Sequence, residues 1–181
     1  MQPKGVRETD PELYTRWLQS GVFTPIYKTH STKDLTMEKR FWVFPDYFDT
    51  MRDAIRLRYD LAPYIYNAAR QTYDTGISMC RPMYYDYAED NEAYEWKEEF
   101  MFGDNILATT VCSPVDKATG LAKRGMWFPE GNDWYDVATG TMIKGGQKDT
   151  LTYTINENPY YIKAGAIIPI CLLYTSPSPR D

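Results

Sequence analysis

One histidine, His30, serves the whole 181-residue chain. The three cysteines, Cys80, Cys112 and Cys171, show no C-x-x-C spacing. A structural zinc site takes about four Cys or His ligands in close pairs, so this composition excludes one. Nor is there a D-x-D-x-D-G run, which excludes the usual calcium loop. No stretch reaches about 18 consecutive apolar residues, so no membrane-spanning helix is expected. Basic clusters are missing too. The 20 Lys and Arg are outnumbered by 25 Asp and Glu, giving a net charge of −5. Such a surface repels a polyanion, so nucleic acid is not an expected partner. No internal repeat is evident, and no metal or cofactor is called for. The compartment stays open.

What is present suits a packed core. Hydrophobic residues make up 43% of the chain and aromatics 15%, which argues against disorder. The 16 tyrosines and 5 tryptophans have two readings. They fill the core and edges of a sheet, or they form platforms on which sugar rings stack; core packing is the default for such side chains. Cys80 and Cys112 read as buried free thiols. The acidic series Glu89, Asp90, Glu92, Glu95, Glu98 and Glu99 reads as a solvated face.

The order of local signals is informative. Asp10 suits a helix N-cap, Pro11 the first helical position, and Glu12 the positive end of the dipole. Leu13, Trp17 and Leu18 then share a face, which predicts core packing for Trp17. Gly21 is expected to end the helix in the left-handed region. Residues 22–27 form a short β-type apolar run, read as a buried strand, and His30 lies just past its C-terminal end. A loop through residue 45 follows, and a long helix opens near Asp49. Pro63 is expected to kink that helix and Gly76 to close it. Beyond it come short β-rich runs at residues 82–87, 106–111, 125–128, 134–137, 150–155 and 160–169. Their spacing predicts an antiparallel sandwich.

These residues carry a family resemblance. Arg16-Trp17, Gln19, Gly21-x-Phe23, Pro25, Lys28 and His30 resemble the last barrel strand region of glycoside hydrolase family 31, the α-glucosidase and α-xylosidase family. The similarity continues in order. It runs through Arg56-x-Arg58-Tyr59 with Leu61-x-Pro63-Tyr64-x-Tyr66, then Arg81-Pro82-Met83, then Phe102-Gly103-Asp104-x-Ile106-Leu107. Pro114-Val115, Phe128-Pro129-x-Gly131, Trp134-Tyr135-Asp136 and Ala164-Gly165-x-Ile167-Ile168-Pro169 complete it. The matching tags span roughly residues 11–170.

The resemblance implies an α/β plus all-β chain: the C-terminal end of a (β/α)8 barrel, residues 1–76, followed by an antiparallel β-sandwich domain, residues 77–170. Residues 171–181 resemble a translated sequencing adapter and are set apart as a non-native tail. The implied activity is retaining hydrolysis of α-glucosidic or α-xylosidic bonds by two carboxylates, with a carbohydrate as partner. Neither carboxylate motif is found here, so no catalytic residue is assigned, Asp34 and Glu38 included, and the isolated chain is expected to be inactive. His30 is the one substrate-binding residue implied, donating to hydroxyls of the sugar beside the scissile bond. Lys28 stands where the family usually has Arg, and Lys cannot make a bidentate fork. Arg16 is expected to pair with an acidic residue of the barrel, and Arg58 and Arg81 to tie the barrel to the β-domain. The alternative reading is a non-catalytic carbohydrate-binding or structural β-sandwich module.

Overall fold

The computed structural model describes residues 9–30 and 40–170. Asp34, Glu38, Cys171 and the adapter-like tail lie outside the described residues.

Helix α1 spans Pro11–Gly21 and starts as its sequence demands. Asp10 Oδ1 accepts from the Glu12 and Leu13 amides at 2.9 and 3.2 Å, and Pro11 fills the first turn. The face it buries is not the apolar one. Thr15, Arg16, Leu18 and Gln19 are buried, whereas Leu13 is 59% and Trp17 72% exposed. The expected core packing of Trp17 therefore fails. The polar side is held by the turn after the last long strand: Gln19 Nε2 donates to Ile155 O, and Asn158 Nδ2 to Gln19 O. Gly21 is not left-handed either. The helix closes on Val22 in right-handed geometry. A Cβ at position 21 would sit 3.0 Å from the Tyr27 ring, a contact the ring must yield to by a few tenths of an ångström.

Residues 22–27 form no strand. A strand exists only through a hydrogen-bonded neighbour, and among the described residues none flanks this run. Helices α2, Phe48–Asp60, and α3, Ala62–Thr75, replace the single kinked helix. Pro63 lies in the first turn of α3, where its missing N–H costs nothing. The chain breaks at Leu61 instead of bending within a helix. Gly76 closes α3 with φ +76°, as expected.

The remainder is antiparallel sheet with two short helices, α4, Met83–Asp86, and α5, Glu92–Glu95. The strands are β1 Cys80–Pro82, β2 Glu99–Phe102, β3 Ile106–Thr109, β4 Ala122–Phe128, β5 Trp134–Asp136, β6 Met142–Ile143, β7 Gln147–Tyr153 and β8 Tyr160–Lys163. They form a six-stranded sheet in the order β1-β2-β3-β8-β5-β6 and a separate β4-β7 pair. The run at 82–87 turns into α4 after Pro82, because Asp86 folds back onto the Arg81 guanidinium. Strands β2 and β6 had no place in the sequence reading. The register explains why all of β3 is buried. Phe102, Ile106 and Ile162 stand in one cross-strand row and face the helices with Phe23, Leu61, Tyr64 and Ala68. Met101, Leu107 and Tyr161 form the neighbouring row and face the small sheet, with Trp127, Phe128 and Trp134. Side chains alternate between faces, so a strand covered on both sides loses the apolar-polar alternation.

Core packing accounts for only some of the aromatics. Trp127, Trp134, Tyr64, Tyr153 and Tyr161 are buried, whereas Tyr59, Tyr66, Tyr73, Tyr84 and Tyr85 are exposed. Cys80 and Cys112 are free thiols, but Cys112 is exposed rather than buried. The solvated-face reading fails at Glu99, which is only 2% exposed.

Candidate functional site

His30 is placed by the segment that leaves α1. Phe23 anchors that segment in the core, meeting Phe102 edge-on with ring centroids 5.8 Å apart. Arg58 then holds its backbone. Arg58 Nη1 donates to Val22 O and Thr24 O at 2.7 and 2.6 Å, and Nη2 to Pro25 O at 3.0 Å. The guanidinium also lies over the Tyr27 ring, 5.9 Å from its centroid. One side chain thus supplies bonds that a neighbouring strand would otherwise supply. Burial pushes the Tyr27 phenol upward, and its hydroxyl is buried without a partner. Beyond Tyr27 the chain runs outward, and Lys28, Thr29 and His30 are exposed.

The three arginines part from their expected roles to different degrees. Arg58 spends its hydrogen bonds on the 22–25 segment and, among the described residues, makes none to the sheet, so the expected tie to the β-domain is corrected. Arg81 does tie the layers. It donates to Asp86, Gly103 O and Asp104, and Asp104 Oδ2 accepts from Gln71 of α3. Arg16 takes carbonyls rather than a barrel carboxylate. Its Nη2 donates to Thr154 O at 2.9 Å and its Nη1 to Glu157 O at 3.1 Å. Burial lowers the Arg16 guanidinium from its ordinary value, with Glu12 and Glu157 opposing. Gln19 holds the same turn through Ile155 O.

Among the described residues two grooves are sizeable. One of about 450 Å³ lies between α1 and residues 110–114, and one of about 460 Å³ lies between Tyr27, Arg58 and the outer face of α3. His30 and Lys28 line neither. The carboxylates in the first groove are already engaged. Asp10 caps α1, and Glu12 Oε1 accepts from the Val115 amide at 2.7 Å. Neither is free to attack or protonate a glycosidic bond. Among the described residues no group of three His, Cys, Asp or Glu is placed to hold a metal ion, and no helix is long and apolar enough to cross a membrane. The arrangement therefore leaves His30 exposed at the end of a clamped segment.

Helices packed on an antiparallel sheet domain are the class of fold these elements define. The family model "Glycosyl hydrolases family 31 TIM-barrel domain" matches residues 5–68, and "Glycosyl hydrolase family 31 C-terminal domain" matches residues 76–168. The chain belongs to glycosyl hydrolase family 31. It is 34% identical over 160 residues to an alpha-xylosidase of Saccharolobus solfataricus, covering 88% of this chain and 21% of that protein. It is 31% identical over 163 residues to alpha-glucosidase 2 of Bacillus thermoamyloliquefaciens, covering 90% and 20%. Among solved structures, a family 31 alpha-xylosidase from a soil metagenome, complexed with xylose, superposes with a TM-score of 0.75. That pair is 25% identical, over 92% of this chain and 27% of the other. The chain spans about a fifth of the length of the curated relatives it matches.

Proposed function

We propose that this chain is the barrel end and first β-domain of a retaining α-glycosidase acting on α-glucosidic or α-xylosidic bonds. Residues 1–76 then form the barrel part, 77–170 the β-domain, and 171–181 a tail foreign to both. The observation that carries the reading is the ordered match of both family models along one chain. The glucosidase and xylosidase relatives support the bond type. The catalytic carboxylates belong to barrel strands outside this sequence, so the purified chain alone turns over no 4-nitrophenyl α-glucoside or α-xyloside. Steady release of nitrophenol by the chain contradicts this.

His30 is the sugar-binding residue of this portion. Its exposure at the end of the Arg58-clamped segment supports that role, because an imidazole donates to a hydroxyl only where a sugar can reach it. The test is a chimera in which residues 11–170 replace the matching segment of the Saccharolobus solfataricus alpha-xylosidase. Hydroxyl contacts that tighten in the transition state contribute several kcal/mol in such enzymes, so His30→Ala lowers kcat/KM by about a hundredfold or more. The exposed position leaves the melting temperature unchanged. A kcat/KM within twofold of the parent chimera removes His30 from the site.

A further inference from the structure

We propose that Glu99 is a proton-operated latch between the two sheets: neutral, it seats the β4-β7 pair on the six-stranded sheet, and ionised, it loosens that seat. The geometry is that of a strut. Glu99 stands opposite Thr109 on β3 and reaches across to β4, where its Oε1 accepts from the Trp127 amide at 2.8 Å. Its Oε2 is buried and has no hydrogen-bond partner. A charged carboxylate in that position leaves one buried oxygen without a donor, which is costly. A neutral carboxyl keeps the Trp127 bond and avoids the charge.

The groups facing Glu99 relieve it only in part. Arg124 of β4 is the nearby cation, but it is turned elsewhere. Its Nε donates to Thr109 Oγ1 at 3.0 Å and its Nη2 to Glu98 Oε2 at 3.2 Å. Glu98 adds a like charge beside Glu99. On the far side the Tyr161 hydroxyl of β8 shares a hydrogen bond with Tyr153 of β7, and Asp136 of β5 bears on both phenols. Burial is the largest influence and pushes the Glu99 carboxyl up to about 8, opposed by the Trp127 amide and by Arg124.

The sign follows from linkage. The folded value lies above the ordinary 4.5 of the unfolded carboxyl. Stability from the neutral strut is fully present below the unfolded value and is lost as pH rises through the folded one. The latch therefore opens on the alkaline side and stays shut in acid. This device sits on the sheet face away from α2 and α3, and it stands whether or not the glycosidase reading does.

Hydrogen exchange of the full chain between pH 6 and 9, corrected for intrinsic base catalysis, tests it. Opening of residues 122–128 and 147–153 is expected to rise at least about tenfold with pH, and Glu99→Gln to flatten that rise. Equal pH slopes in wild type and Glu99→Gln overturn the proposal. Should Glu99→Gln fail to fold, carboxyl-carbon NMR of the wild type decides. A glutamate carboxyl titrating above pH 7 supports the latch, and titration of every glutamate below pH 5.5 overturns it.

Discussion

Gly103→Ala is expected to lower the melting temperature of the chain by at least about 10 °C, a loss on the order of 4 kcal/mol. Gly103 sits in the turn between β2 and β3 with φ +61°. A Cβ there comes within 2.3 Å of Tyr64 Oη and 2.8 Å of its Cζ. Tyr64 cannot retreat without loss. Its hydroxyl donates to Phe102 O at 2.7 Å and accepts from the Asn105 amide at 3.2 Å, and its ring packs in the core between α3 and the sheet. Left-handed strain costs about 1–2 kcal/mol, and each buried polar group left unpaired costs about 1–3 kcal/mol. Tyr64→Phe keeps the ring and loses only the hydroxyl bonds, so its effect is smaller, about 1–2 kcal/mol. The two changes remove one shared contact, and the double variant therefore falls short of their sum. Thermal unfolding of the four proteins checks this. A Gly103→Ala melting point within about 2 °C of wild type would show the Tyr64 wall to be yielding.

Arg81→Met is the second large effect, a loss of about 3–5 kcal/mol. The arginine is only 6% exposed and spends its donors on four partners. Nε meets Asp86 Oδ2 at 2.9 Å, Nη1 meets Ser78 O at 3.2 Å, and Nη2 meets both Gly103 O at 3.1 Å and Asp104 Oδ1 at 3.0 Å. Removing the guanidinium takes the donor from two carbonyls and the cation from two partly exposed carboxylates, around a small cavity of about 90 Å³. Asp104 also holds Gln71 of α3, so the loss spreads from the sheet to the helices. Lys at this position carries the charge without the planar fork, and cannot serve four acceptors in these directions. Arg81→Lys is accordingly expected to recover less than half of the lost stability. Urea midpoints of the three proteins decide it, and an Arg81→Lys midpoint equal to wild type contradicts the account.

The parts legible in the sequence are those decided by a few neighbouring residues. Asp10 and Pro11 start α1 by local chemistry, Gly76 ends α3 by its own φ, and Pro63 marks the break between α2 and α3. The β3 and β5 runs are apolar enough to be strands in any context. The larger misreadings depend on partners distant in sequence. Residues 22–27 have strand composition but no neighbouring strand, and Arg58 satisfies their carbonyls instead. Trp17 has the right spacing for a core face, yet α1 is held by its polar side through Arg16 and Gln19. Glu99 belongs to a charged run by sequence and to a buried layer by register, since its β3 partner Thr109 is itself buried. The family resemblance carried the functional reading, because it rests on order along the chain and not on any of these local elements.

Reading the source DNA upstream of the Met1 codon tests the central claim most directly. The account predicts an open frame that continues into further barrel strands, two of them ending in aspartates placed as nucleophile and acid/base. An in-frame stop codon just upstream, with a start signal at Met1, contradicts it and leaves a short chain whose β-domain has some other role.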